Sequence, residues 1–242
     1  MCTAIPGLIL VRSSSTRLPK KCFLPFGEYS VIEHVGKRAM HFGFDPVICT
    51  TEEESDNAIY DLAVKNKWKV FRGSTKDKIR RLRDACDAFN ISEFITIDAD
   101  DPFFDPEVDQ QIITTLRKGF DFVVPPDDYY CGSAGYAVKK SVLDRAINEA
   151  DTSDSEMMWK IIEKIKGIKI FNYPRPNDRM TLIRLTLDYE EDYHILLAVV
   201  RILGPYALSK DIEKLFANNP NLYQINWFRQ NMWKNNQDKV TY

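Results

Sequence analysis

The sequence predicts one α/β domain over residues 1–242: a Rossmann-like, mainly parallel sheet sandwiched by helices, with a small inserted middle section at 127–180. Two observations carry this expectation. Short apolar runs alternate with helical patterns of about ten to fifteen residues, the signature of strand–helix–strand units. Several of those runs end in polar, charged turns, at the edge where open α/β sheets present ligand-binding loops. A hydrophobic fraction of 44% supplies the core, and no linker divides the chain.

The elements follow in order. Residues 4–11 form the first apolar run and read as a buried strand. Ser30-Val31-Ile32-Glu33 has the S-x-x-E form of a capping box, and Val31, Val35, Met40 and Phe42 extend an apolar helical face behind it. A strand at 46–50, a helix over 55–67 and a strand at 69–71 come next. Ser74, three residues before Asp77, reads as the cap of a helix ending near Phe89. The strand at 93–97 ends in Asp98-Ala99-Asp100-Asp101-Pro102. Asp105 and Pro106 then supply an N-cap and an N1 proline for a helix to Lys118. A fifth strand spans 120–124. The middle section is less regular: strand-like at 136–140, helical from Ser141, acidic at 151–156. It is expected to leave the sheet as a lid or dimer face. Strands at 168–173 and 181–187, helices at 189–203 and 209–217, and a polar, aromatic tail over 219–242 complete the chain.

Composition excludes several classes of function. With 33 Lys plus Arg against 35 Asp plus Glu, the net charge of -2 leaves no footprint for nucleic-acid binding. Cys2, Cys22, Cys49, Cys86 and Cys131 are scattered and never form a C-x-x-C pair, so neither a disulfide framework nor a zinc site is expected. His34, His41 and His194 lack metal-ligand spacing and are read as structural. No run is long enough to span a bilayer, and the opening residues lack the pattern of a secretion signal. A cytoplasmic protein with no membrane partner is the expectation.

The chemistry concentrates in three places. Directly after the first strand comes R-x-x-S-x-R-L-P-x-K, with Arg12, Ser13, Ser15, Arg17 and Lys21 as candidate ligands of a polyphosphate. The same cations would also suit a solvated turn, but the preceding strand favours a site. Asp100 and Asp188 each follow a predicted strand and should emerge on that same sheet edge, where two carboxylates facing a triphosphate would hold Mg²⁺. Asp98 and Asp101 are lesser candidates. Phe71-Arg72-Gly73-Ser74-x-x-Asp77 is the third place, either a helix cap or a base-recognition turn. Lys78, Arg80, Arg81 and Arg83 spread around one helix and are read as solvated.

The R-x-x-S-x-R-L-P-x-K loop resembles the signature of the sugar-activating cytidylyltransferases, the group that includes CMP-Kdo and CMP-sialic acid synthetases and a spore-coat polysaccharide branch. Many relatives carry Gly where Lys20 stands. Residues 97–106 resemble the family's G-D-[DE]-P-x-[IL]-x-P segment, and Arg184 to Asp192 its R-x-T-[VL]-D-x-x-E-D segment. The F-R-G-S-x-x-D block and the Asn219-Pro220-x-x-x-x-Ile225-Asn226 ending resemble the spore-coat branch.

The resemblance implies a nucleotide-diphospho-sugar transferase type of fold. It implies CMP transfer from CTP to an anionic acceptor (an acidic sugar, sugar phosphate or phosphonate), with release of pyrophosphate. Arg12, Lys21 and Asp100 would be catalytic, Asp100 and Asp188 would hold magnesium, and Arg72, Gly73, Ser74 and Asp77 would join the nucleotide site. It also implies a homodimer formed through the middle section. Relatives carry a G-x-D-x-E-V strand where Gly132 to Val138 stands, and an R-E-H-V segment where Ser155 to Met158 stands, which leaves the acceptor open. Two other readings remain: a glycosyltransferase using Asp98-Ala99-Asp100 as a D-x-D metal site, and a non-catalytic nucleotide-binding homologue.

Overall fold

A computed structural model of the chain describes residues 4–126, 129–149, 154–174 and 182–238. The expected positions 127–128, 151–153, 181 and 239–242 lie outside them.

The first strand, β1 (Ile5–Leu10), shows the pattern that organises the molecule. Ile9 and Val11 face one apolar core while Leu8 and Leu10 face another, because successive side chains of a strand point to opposite faces. A small hairpin, β2 (Pro25–Phe26) and β3 (Tyr29–Ser30), leads into α1 (Val31–His41). The predicted capping box is present: Ser30 Oγ accepts from Glu33 N, and Glu33 returns a carboxylate to Ser30 N at 3.1 Å. Met40, placed on the apolar face by its spacing, is instead 54% exposed.

β4 (Phe44–Thr51), α2 (Asn57–Lys65), β5 (Lys69–Gly73), α3 (Lys78–Phe89) and β6 (Glu93–Asp98) continue the alternation. Asp77 rather than Ser74 caps α3, accepting from Arg80 N, while Ser74 Oγ caps the turn before it. α4 (Pro106–Leu116) opens as expected, with Asp105 accepting from Glu107 N and Val108 N and Pro106 in the first turn. Then come β7 (Phe122–Val124), β8 (Ala137–Lys139), α5 (Lys140–Glu149), α6 (Met158–Ile162), β9 (Ile170–Asn172), α7 (Glu190–Leu203), α8 (Ser209–Asn218) and α9 (Arg229–Asp238).

Among the described residues the main sheet has seven strands in the order β5-β4-β1-β6-β8-β7-β9. All neighbours run parallel except β8, which is antiparallel to both β6 and β7. The middle section therefore does not simply leave the sheet. Its apolar Ala137 and Val138 are fully buried between two strands, a gain that an external lid would forgo. Helices α1, α2, α4, α7 and α8 cover one face, and α3, α5 and α6 the other.

Two further expectations change form. The segment before Asp188 is extended but adds no strand: Leu185 N donates to Cys131 O and Leu187 N to Asp100 O, both at 2.7 Å. Its partners are loops at strand ends, so the backbone is satisfied without a ladder. The described part of the polar tail forms a 3-10 stretch, Pro220–Ile225, followed by α9.

Candidate active site

β1 and β6 are adjacent and parallel, so the loops leaving their carboxyl ends emerge side by side. The segment ending at Asp188 is held against Asp100 by the Leu187 hydrogen bond. Between them lies a cleft of about 410 Å³. It is lined by Arg12, Ser15, Arg17 and Lys21 from the first loop and by Asp98, Asp100, Asp101 and Asp188. The predicted phosphate loop and the predicted carboxylates thus meet.

Lys21 is the centre of the arrangement. Its ammonium, on a side chain only 15% exposed, donates to Asp100 Oδ2, to Asp188 Oδ1 at 2.9 Å and to the Leu187 carbonyl at 2.9 Å. Burial alone would lower the affinity of this amine for its proton. The two carboxylates outweigh burial and hold it above the ordinary lysine value. Asp188 is the mirror case: burial pushes its carboxyl up, while Lys21 and Arg17 pull it below the usual range. Arg17 donates to Asp188 Oδ1 at 2.7 Å. Lys20, by contrast, is exposed and lies outside the cleft, so Lys21 is the lysine that enters the site. Lys20 has φ 54°, in the left-handed region, a conformation that glycine adopts without strain.

Asp98, Asp100 and Asp101 bring carboxylate oxygens within 4.8 Å of one another. Burial pushes the Asp101 carboxyl well above its usual range, and the Asp100 and Asp98 charges add to the shift. Asp98 is raised by burial too, opposed by Lys78, whose ammonium lies 3.6 Å away. The donor set is all oxygen, and one cationic group already bridges Asp100 and Asp188. Both features fit a hard divalent cation.

The structure does not bring every predicted residue to the cleft. Ser13 does not line it: Ser13 N and Oγ donate to Asp56 Oδ1 at 2.8 and 2.6 Å. Asp56 also accepts from the Thr50 and Thr51 hydroxyls, so it ties the phosphate loop to the end of β4. Arg72, Gly73, Ser74 and Asp77 lie outside the lining as well. Arg72 spends its guanidinium on the Thr51 and Glu53 carbonyls and on Asn57 Oδ1, bracing the turn after β4.

The cations just beyond this block reach the cleft instead. Lys78 and Arg81, expected to be solvated, both line it, and Arg81 is only 4% exposed. Their positions on the buried side of α3, beside Ile79 and Leu82, were the signal for this in the helical spacing.

Other lining residues were not among the candidate ligands, although Thr186 belongs to the Arg184 to Asp192 segment and Gly132, Glu156 and Met157 to the two segments that depart from the relatives. Glu156, Met157 and Trp159 border the α3 side, with Glu156 Oε1 3.2 Å from Arg12. On the opposite side stand Cys131, Gly132, Thr186 and Trp233. Gly132 has φ 85°, and a Cβ there would lie 2.4 Å from Thr186 N and 2.7 Å from Asp101 Oδ1. Only glycine fits this turn between the two acidic segments.

Behind Asp188, Arg184 is fully buried. Its guanidinium takes Asp192 in a forked pair, 2.9 Å and 3.2 Å, and donates to Gln230 Oε1. Asp192 Oδ2 in turn accepts from Asp188 N and Tyr189 N at 3.0 Å, which fixes the direction in which Asp188 leaves the backbone.

A mainly parallel sheet that delivers a cationic loop onto clustered carboxylates at its carboxyl edge is the site of a nucleotidyltransferase. The chain belongs to the cytidylyltransferase family, whose profile matches residues 7–194, and is a CTP-dependent enzyme. It is 26% identical over 232 residues to the spore coat polysaccharide biosynthesis protein SpsF of Bacillus subtilis, covering 88% of this chain and 94% of that one. A cytidylyltransferase from Leptospira borgpetersenii superposes with a TM-score of 0.84 at 27% identity, covering 92% of this chain and 97% of that chain. The CMP-2-keto-3-deoxy-manno-octonic acid synthetase complexed with CTP shares the fold, with a TM-score of 0.61 at 15% identity over 81% of this chain and 98% of that chain. No helix among the described residues is long and apolar enough to cross a membrane.

Proposed function

We propose that the enzyme transfers CMP from CTP to an oxygen of a small anionic acceptor and releases pyrophosphate, with Mg²⁺ held by Asp100 and Asp188. The observation that carries this reading is the Lys21 ammonium seated between those two carboxylates at the foot of the cationic loop. A bound magnesium ion would neutralise charge on the α-phosphate and sharpen its electrophilicity.

The chain's own residues do the rest. Arg12 and Arg17 stand over the cleft with half-exposed guanidinium groups that offer paired donors to phosphate oxygens. Lys21 exchanges its carboxylates for the phosphates and stabilises charge as the bond to pyrophosphate breaks. Asp188, oriented through Asp192, holds its position as the acceptor oxygen approaches in line. An acceptor that is already an anion needs no strong base.

The test is pyrophosphate release with each of the four ribonucleoside triphosphates and Mg²⁺, against acidic sugars, sugar phosphates and phosphonates. Release with CTP and one acceptor class supports the reading. Turnover only with a nucleoside diphosphate sugar would replace it with glycosyl transfer, and CTP binding without any release would leave a binding protein.

A further inference from the structure

We propose that Tyr189, the residue after Asp188, is a positioning residue: its ring is the fixed platform that keeps the Arg17 guanidinium over the cleft once Arg17 has exchanged Asp188 for a phosphate of CTP. This deepens the cytidylyl-transfer reading and rests on its assignment of Arg17 to the phosphates.

Three guanidinium groups lie over this one ring, Arg229 at 4.8 Å, Arg17 at 5.6 Å and Arg184 at 5.8 Å from its centroid. Each is attracted by the negative face of the ring. Two of the three are committed elsewhere. Arg184 is fully buried and forked onto Asp192, and Arg229 takes Glu191 in a second fork, at 2.6 and 3.1 Å. Arg17 differs. Its side chain is 43% exposed and lines the cleft, and among the described residues its guanidinium makes a single hydrogen bond, to Asp188 Oδ1. It is the arginine of the three that can change partners.

The ring itself cannot follow. Tyr189 is 9% exposed, its N–H is held by Asp192 Oδ2 at 3.0 Å, and Asp192 is held in turn by Arg184 and Asn226. Asp188 N donates to the same carboxylate oxygen, so the ring and the carboxylate that share Arg17 are set by one anchor. The Tyr189 hydroxyl is buried with no hydrogen-bond partner among the described residues. A phenol kept for its hydroxyl would be paired when buried. What this position uses is the aromatic face.

The consequence lies in what changes on binding. In the free protein both Asp188 and the ring hold Arg17. When a phosphate takes Arg17 from Asp188, the ring is the one of these two supports that remains. Without it a long side chain would have to be ordered at the moment of binding, at the expense of affinity. Weakening the ring face therefore weakens the CTP complex more than the free protein.

The experiment replaces Tyr189 with phenylalanine and with mono-, di- and trifluorinated phenylalanine, which nearly keep its shape while drawing electron density from the ring face. Affinity for CTP with MgCl₂ is measured by calorimetry, with Arg17 present and in an Arg17→Met background, and thermal melts check the fold. Tyr189→Phe should bind CTP within about twofold of wild type. Affinity should then fall stepwise with each fluorine, to a loss of about fivefold for the trifluorinated ring, and Tyr189→Leu should match or exceed that loss. With Arg17→Met the same replacements should change affinity by less than about twofold, a difference that a ring serving only stability would not show. The proposal is overturned if affinity is flat across the fluorinated series, or if it falls equally with and without Arg17. If wild type does not bind CTP, or if Arg17→Met binds it as tightly as wild type, the underlying reading of Arg17 fails and takes the proposal with it.

Discussion

Replacing Lys21 with methionine removes, among the described residues, the one cation within salt-bridge distance of Asp100 and Asp188 together, and leaves the side-chain volume nearly unchanged. The pair is well shielded, with Lys21 15%, Asp188 5% and Asp100 29% exposed. Breaking a buried pair from one side costs about 3–5 kcal/mol, because the remaining charge is left uncompensated. For a chain of this size about 1 kcal/mol moves the melting temperature by roughly 2–4 °C, so Lys21→Met should melt roughly 6–20 °C below wild type. The loss should be repaired by a divalent cation, which can occupy the place the ammonium leaves. At a hundredfold excess over its dissociation constant a ligand adds about 2.7 kcal/mol of stability, so Mg²⁺ should recover a large part of the deficit. Thermal melts of both proteins with and without MgCl₂, at matched ionic strength, measure this directly. Equal melting temperatures without metal, or equal shifts with it, would refute the idea that Lys21 and the metal share one seat.

Asp100→Asn keeps the shape of the side chain while removing its charge, so pyrophosphate release should fall by about two orders of magnitude or more with the circular dichroism spectrum unchanged. Lys20→Gly relieves a left-handed backbone at an exposed position outside the cleft and should raise stability by up to about 1 kcal/mol, read from denaturant melts. His34 predicts a pH dependence. Buried between Phe26 and Phe103 with Nε2 2.8 Å from the Pro102 carbonyl, it is pushed down to about 4, mainly by burial. The unfolded chain protonates its histidine near pH 6.5 while the folded one refuses the proton, so stability is full above about 6.5 and falls as pH drops toward 4. The loss is about 3 kcal/mol across that window. His34→Gln should flatten this part of the acid limb in urea melts at pH 7, 6, 5 and 4, and an unchanged slope would sink the assignment.

What was legible in the sequence follows from what acts locally. The alternation of strands and helices, the Ser30 capping box and the Asp105-Pro106 helix start depend on neighbours a few residues apart, and they appear where the pattern put them. The meeting of Arg12, Arg17 and Lys21 with Asp100 was legible because strand ends in a parallel sheet share an edge, whereas Asp188 arrives from an extended segment outside the sheet, held by Leu187 N on the Asp100 carbonyl. Burial of a charge was not legible. Arg81 and Lys78 look like surface residues until α3 is seen against the cleft, and Arg72 looks like a ligand until the carbonyls of the β4 turn are found to take its donors. The place of β8 was hidden for a related reason. The run at 136–140 reads as strand-like, but pairing partners far away in the chain decide where such a short strand, Ala137–Lys139, enters the sheet. Trp233 carried no motif, since it reaches the site through tertiary packing, and Glu156 stands out in the sequence only as part of the 155–158 segment that departs from the relatives.

The cleft also shows why so many charges can be gathered in so small a space. Within the chain itself they balance nearly one for one. Arg184 is spent on Asp192, Arg17 on Asp188, Lys21 on Asp100 and Asp188 together, and Lys78 faces Asp98. Asp101, the acid with no cation of its own in this set, is the one that burial and the neighbouring carboxylates push toward its neutral form. An unpaired buried charge would cost several kcal/mol, and this arrangement leaves none among these residues. On the proposed reading a magnesium triphosphate would bring both signs at once, and its entry would be an exchange of partners, with Asp100 and Asp188 free to hold the metal and Lys21 and Arg17 free to bind the phosphates. Neither metal nor triphosphate alone offers that exchange. The free metal must displace an ammonium that then has no counter-charge, and the free triphosphate must pull cations from carboxylates left bare. The charge balance therefore favours binding the two together, and it makes Lys21 the residue on which that coupling turns.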